Sequence, residues 1–191
     1  MKKEELRQLF RNKRNSLPEK TRNSLSLKVF KKIVRWQIFT DSHTIMTSVS
    51  FGSEIDTHRL IKYCLENGKK IVIPKANKKE RKLNTYLIKK FPDDLEIGNY
   101  GILEPRQDKC KIIPAKEIDL IFVPGLVFDK NGYRIGYGKG YFDNFLKEIE
   151  KHTITCGLCF SFQVMDKINH QKWDKPLEFI LNEKSLIKCK Q

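Results

Sequence analysis

Five of the ten glycines fall between positions 125 and 140. The segment reads Pro124-Gly125-Leu126-Val127-Phe128-Asp129, then Gly132 and Arg134, then Gly136-Tyr137-Gly138-Lys139-Gly140-Tyr141-Phe142-Asp143. Gly136, Gly138 and Gly140 allow close backbone approach to a ligand and tolerate positive φ. Successive N–H groups in such a turn form a concave anion site, and a helix beginning there adds its positive end. Lys139 and Arg134 can neutralise phosphate oxygens. Asp143, one turn into that helix, would repel an anion unless Mg2+ bridges the two, and a carboxylate suits Mg2+. Two familiar labels fail. A Walker motif needs Ser or Thr after Gly-Lys, but Lys139 is followed by Gly140, and the G-x-G-x-G spacing is not the dinucleotide G-x-G-x-x-G. Composition alone leaves a plain tight turn equally open.

The turn is positioned by a strand and a helix. Residues 118–123 (IDLIFV) form the strongest buried-strand pattern in the chain, and 141–151 read as a helix. In a parallel α/β sheet, ligands bind in that strand-to-helix setting. Upstream, residues 4–14 predict a helix with Leu6, Leu9 and Phe10 on one side. Ser16-Leu17-Pro18-Glu19 has capping-box spacing and opens a second helix with Leu25, Val29, Ile33 and Trp36 on its stripe. Strands are predicted over 44–51, 70–73 (ended by Pro74), 83–88, 153–160 and 178–181, and a helix over 56–66 ended by Asn67-Gly68. Residues 91–106 read as irregular. Alternating strands and helices predict an α/β fold, a single three-layer domain over 1–191 with a mostly parallel central sheet, Rossmann-like, on which the basic helices of 1–36 pack.

The chain has 191 residues, enough for one domain with a core of its own. It is 39% hydrophobic and 32% charged, which argues against a disordered chain. No apolar run approaches a membrane span, and MKKEELRQLF carries charges where a signal peptide needs its apolar stretch. The expected compartment is the cytoplasm, and the expected state a monomer. The net charge of +15 favours anionic partners, nucleic acid or small molecules bearing phosphate or carboxylate. Residues 1–36 alone hold 12 basic and 3 acidic side chains. The five cysteines read as reduced thiols. Cys156-Gly157-Leu158-Cys159 lacks a second ligand pair, and its odd offset turns the thiols to opposite sides of a strand. The four histidines show no ligand spacing.

The long glycine signature resembles the 5-formyltetrahydrofolate cyclo-ligase (methenyltetrahydrofolate synthetase) family. So do the basic segment from Lys3 to Arg7, Ser50-Phe51-Gly52-Ser53-Glu54-Ile55-Asp56-Thr57, Gly101-Ile102-Leu103-Glu104-Pro105, and Gly157-Leu158-Cys159-Phe160 with Gln163. Together they cover essentially the whole chain.

The resemblance implies ATP- and Mg2+-dependent conversion of 5-formyltetrahydrofolate to 5,10-methenyltetrahydrofolate through a phosphorylated formyl intermediate. It assigns Lys139, Arg134 and Tyr141 to catalysis. Lys3, Arg7, Arg134, Gly136, Tyr137, Gly138, Lys139, Gly140, Tyr141 and Phe142 would bind ATP, with Lys3 and Arg7 at i, i+4 facing the same way. Val49, Glu54, Tyr137 and Tyr141 would hold the folate, Glu54 by the pterin N–H groups and Val49 by packing on the ring. Asp143 and Glu178 would hold Mg2+, Glu178 standing where Asp is commoner, with Asp174 as the substitute. Phe142 replaces the commoner Tyr. Two rival readings are a diverged member acting on another substrate and a basic nucleic-acid-binding module. The latter lacks a reading motif, and Asp143 is costly to explain on a phosphate surface.

Overall fold

A computed structural model describes residues 1–98 and 101–190. Asn99 and Tyr100, inside the stretch expected to be irregular, lie outside the described residues. The elements are α1 (Lys3–Asn15), α2 (Glu19–Ile33), α3 (Gln37–Asp41), β1 (Thr44–Thr47), α4 (His58–Glu66), β2 (Lys70–Asn77), β3 (Lys82–Ile88), β4 (Leu95–Ile97), β5 (Leu103–Pro105), β6 (Lys111–Ile112), β7 (Leu120–Val123), β8 (Val127–Asp129), β9 (Arg134–Ile135), α5 (Tyr141–Glu148), β10 (Ile154–Leu158), β11 (Val164–Met165), β12 (Phe179–Leu181) and β13 (Leu186–Lys188).

Eight strands form the central sheet, in the order β13-β12-β10-β7-β1-β2-β3-β6. The five from β12 to β2 are mutually parallel, and the edges are antiparallel. The fold is therefore α/β with a mostly parallel sheet. β1 and β7 are buried at every residue, because helices cover both faces. Alternate residues supply the two cores. Ile45, Leu120 and Phe122 meet Val29, Ile33, Phe39, Leu60 and Ile61 on the α2–α4 side, while Met46, Ile121 and Val123 meet Phe145 and Leu146 of α5 on the other. Cys156 and Cys159 fall in these opposite cores. A small sheet, β11-β8-β9, carries α1 through Leu6, Phe10, Val127, Ile135 and Ile168. Among the described residues no helix is long and apolar enough to cross a membrane.

Several local expectations are corrected. Ser16 does not cap α2: its hydroxyl donates to Lys13 O at 3.0 Å, closing α1, and α2 begins after Pro18. Leu9 is 48% exposed, and the buried stripe of α1 is instead Leu6, Phe10 and Arg14. Pro74 does not end β2. Its cross-strand neighbour Thr85 turns its carbonyl to Ile113 N–H, away from Pro74, so that position demands no donor from the proline. Beyond Val72, β2 also has no pairing with β1. The expected strand over 44–51 closes at Thr47, and two short strands, β4 and β5, order part of 91–106.

Candidate active site

Strand order reverses between β1 and β7. From β1 the chain moves outward to β2, and from β7 it moves the other way to β10 and β12. Such a switch point opens a crevice at the carboxyl ends of the strands. A small pocket, open to solvent, lies there, lined by Thr47 at the end of β1 and Ser48 after it, Val123 at the end of β7 with Pro124 and Gly125 after it, Leu158 of β10, and Arg14, Glu54, Ile55 and Gln163. Gln163 braces the wall: its amide N–H donates to Gly125 O at 3.2 Å and Leu126 O at 2.9 Å, and its carbonyl accepts Phe160 N–H at 2.9 Å.

The glycine turn rises beside this pocket. Asp129, fully buried, accepts N–H groups of Asn131 and Tyr133 on one carboxylate oxygen and of Ile168 on the other, each at 3.0 Å, which fixes the hairpin leading into the turn. Gly138 and Gly140 have φ of +94° and +72°, where a side chain would be strained. Arg7 Nε donates to Gly136 O at 3.0 Å, and the guanidinium lies over Gly138. The α1 helix thus holds the turn from outside. Lys139 is exposed at the apex with no ion-pair partner among the described residues.

Tyr137 joins turn and pocket. Its hydroxyl accepts Arg14 Nη1–H at 3.0 Å and donates to Glu54 Oε1. Burial and the Glu54 carboxylate push this hydroxyl above the ordinary phenol range, so it stays protonated. The other oxygen of Glu54 accepts Phe51 N–H at 3.1 Å.

Below the turn, Arg134 Nη2 lies 2.8 Å from Asp143 Oδ1, with the arginine side chain 3% exposed. Burial works against its charge, and Asp143 and Asp174 offset part of that cost. Arg134 is thus turned to carboxylates rather than standing free as a phosphate clamp. Asp174 accepts Lys3 Nζ–H at 2.8 Å and Gln171 N–H at 2.9 Å. Burial opposes its ionisation, but Gln171, Lys3 and Arg134 prevail and hold its carboxyl below the usual range.

The structure gathers Lys3, Arg7, Arg134, Tyr137, Asp143 and Glu54 around turn and pocket. Tyr141 and Phe142 open α5 half-buried, Phe142 against the second core. Two expected residues stand elsewhere. Glu178 is not brought to Asp143: its carboxylate accepts Thr155 N–H at 3.0 Å and its own N–H donates to Thr155 Oγ1 at 3.1 Å, at the amino end of β10. Besides Asp143, the acid whose charge acts on Arg134 is Asp174, which is tied to α1 through Lys3. Val49 is 4% exposed within the core, and the pocket wall is made by Thr47 and Ser48. Sequence reading missed Arg14. Its one signal was a lone arginine at i+4 and i+8 on an apolar stripe.

Asp143 and Asp174 give a hard-oxygen donor set of the kind Mg2+ takes when substrate phosphates and waters complete its shell. Among the described residues no three His, Cys, Asp or Glu side chains converge into a protein-only cage. The residues present therefore fit a phosphate-bound Mg2+.

Fold and site together define an α/β enzyme with a crevice at the carboxyl ends of the parallel strands and a glycine-rich turn beside it. More narrowly, the chain belongs to the 5-formyltetrahydrofolate cyclo-ligase family, whose pattern matches residues 1–183, and it is a ligase. A probable 5-formyltetrahydrofolate cyclo-ligase of Caenorhabditis elegans is 29% identical over 198 residues, 97% of this chain and 94% of the worm protein. The 5-formyltetrahydrofolate cyclo-ligase of Haemophilus influenzae is 31% identical over 134 residues, 69% of this chain and 71% of its own. The NMR structure of Aquifex aeolicus 5,10-methenyltetrahydrofolate synthetase superposes with a TM-score of 0.88 at 31% identity, over 100% of this chain and 94% of that one.

Proposed function

We propose that the protein converts 5-formyltetrahydrofolate to 5,10-methenyltetrahydrofolate, consuming ATP and releasing ADP and phosphate. The observation that carries this reading is the Tyr137 hydroxyl on Glu54. It makes a residue of the phosphate-type turn a neighbour of the one carboxylate in the pocket lining, so a pterin held by Glu54 would present its N5 substituent toward a triphosphate on the turn.

The formyl oxygen attacks the γ-phosphorus, and the bond to ADP breaks. N10 then attacks the activated formyl carbon, the carbon–oxygen bond breaks, phosphate leaves and the N10 proton is lost. Activation is needed because an amide-type oxygen leaves poorly and phosphate leaves well. The protein's part is positioning and positive charge. Lys139 and the 136–140 N–H groups receive the phosphates. Arg7 braces the turn and Lys3 adds charge at its rim. Arg134 orients Asp143, and Lys3 and Gln171 N–H orient Asp174; the two carboxylates would hold Mg2+. Bound there, Mg2+ neutralises phosphate oxygens. Tyr141 lines the junction of the two substrates, and the pocket's apolar wall, Ile55 and Leu158, covers the pterin faces.

The test is direct. Purified protein is mixed with 5-formyltetrahydrofolate, ATP and Mg2+, and the near-ultraviolet absorbance of the methenyl product is followed. A rise that requires both ATP and Mg2+ supports the reading. No rise from a folded protein that binds ATP means a different substrate, and absence of ATP binding returns the basic surface to the nucleic-acid alternative.

A further inference from the structure

We infer that Arg14 reads the 4-oxo group of the pterin and so makes this site selective for 4-oxo over 4-amino pteridines. The inference rests on the reading that Glu54 holds the pterin N–H groups.

Arg14 is 6% exposed, yet it has no carboxylate within ion-pair distance among the described residues. A buried guanidinium without a counter-ion is costly unless its donors are used. Two are used: Nε donates to Ser53 Oγ and Nη1 to Tyr137 Oη, both at 3.0 Å. Ser53 is held in turn by donating to Asn15 Oδ1 at 2.5 Å. The planar fork is therefore locked at two points. Its third nitrogen, Nη2, has no hydrogen bond to the described residues, and none of their sealed-off polar side-chain atoms lacks a partner. Nη2 is therefore not sealed off, and Arg14 is among the residues that line the pocket.

Glu54 is locked just as firmly, by Phe51 N–H and the Tyr137 hydroxyl. One tyrosine oxygen separates the two side chains, so a fixed acceptor and a fixed donor stand side by side on the pocket wall. A 4-oxo pterin presents a matching edge: the 2-amino group and N3–H donate, and the adjacent C4 oxygen accepts. With Glu54 on the two donors, the C4 oxygen falls to the neighbouring donor, Arg14. A 4-amino pteridine turns that position into a donor, which would face a guanidinium that cannot accept. Sites built to bond one group reject its replacement strongly, because their own polar atoms are left unpaired.

The test compares 5-formyltetrahydrofolate with its counterpart carrying an amino group in place of the 4-oxo oxygen, titrated calorimetrically into the protein without ATP. The wild type is expected to bind the 4-oxo compound at least about tenfold more tightly. Arg14→Met, similar in length but without donors, should reduce that ratio about 10- to 100-fold, the range of a charged hydrogen bond. Arg14→Gln, whose amide can also accept, should bring the two ligands within about threefold by the same reasoning, and it supplies the readout if the methionine variant fails to fold. A wild type that binds both compounds equally, or variants that weaken both in proportion, would overturn the inference while leaving the folate reading intact. A wild type that binds neither would overturn the folate reading and this inference with it.

Discussion

Arg134 and Asp143 form an ion pair at 2.8 Å whose two members differ sharply in exposure, 3% for the arginine side chain and 36% for the aspartate. The arginine is a buried support and the aspartate the face it presents. Asp143 is held in orientation from below while its outer oxygen stays accessible. Under the proposed function, this carboxylate would face Mg2+ from a helix that begins at the turn proposed to receive phosphate.

Lys139 is the cation at the apex of the turn. Lys139→Ala should lower turnover about a hundredfold or more, since phosphoryl transfer depends on positioned charge. The thermal midpoint should stay at the wild-type value, because the side chain is exposed. Near-normal turnover would remove the turn from the phosphate role.

Glu54→Gln should raise the Michaelis constant for 5-formyltetrahydrofolate about tenfold or more, the size of a lost charged hydrogen bond. That for ATP should change much less. The reverse ranking in steady-state kinetics would show that Glu54 does not face the pterin.

Asp174 anchors α1 through Lys3. Its carboxyl is held below the ordinary value of 3.8, burial being outweighed by Gln171, Lys3 and Arg134. A depressed acid stabilises the fold above its unfolded value, and that contribution disappears as pH falls through the folded value. Melting curves should therefore show Asp174→Asn less stable than wild type at neutral pH, with the gap closing below about pH 4, near the unfolded carboxyl value. A gap constant with pH would mean that the ion pair contributes nothing.

Two glycines with positive φ should respond differently to alanine. At Gly138 a methyl group meets only the Arg7 guanidinium, at 3.6 Å, so the cost is backbone strain of about 1–2 kcal/mol. At Gly132 it would collide with the main-chain carbonyl of Leu177, which cannot move aside. Gly132→Ala should lose more than Gly138→Ala in denaturant unfolding, by at least about 2 kcal/mol.

All five cysteines are free and buried. Burial pushes the Cys64 thiol up to about 12, with Lys69 only partly opposing it, and the Cys189 thiol up to about 11. Thiolate is scarce at neutral pH, and access is blocked. Ellman's reagent should react slowly with native protein and with five equivalents in denaturant. A fast native thiol would contradict this packing.

The layered fold was legible wherever one period dominated. The buried runs in β1 and β7, and the helix leading away from the glycine turn, followed from hydrophobic pattern and glycine placement. Pro74 misled because a proline ends a strand only where its missing N–H is needed, and which side of a strand needs donors depends on its neighbours. Leu9 and Arg14 misled together. The helical stripe was read from apolar residues alone, and a buried arginine occupied the position an apolar residue was expected to mark.

The sequence by itself determined the fold class, most of the elements, the glycine turn with Lys139 in it, and the family, because these depend on local geometry and on residue types at short spacing. Only the tertiary structure decided which distant charges meet. It paired Asp174 with Lys3 and Glu178 with Thr155, turned Arg134 inward to Asp143, withdrew Val49 into the core, and set Arg14 beside Glu54 across one tyrosine hydroxyl. The reason is physical. The contacts of Arg14 with Ser53 and of Lys3 with Asp174 join residues 39 and 171 positions apart in this chain, and no local pattern encodes such pairings. They follow from the strand order, which fixes what arrives at the carboxyl ends of β1 and β7.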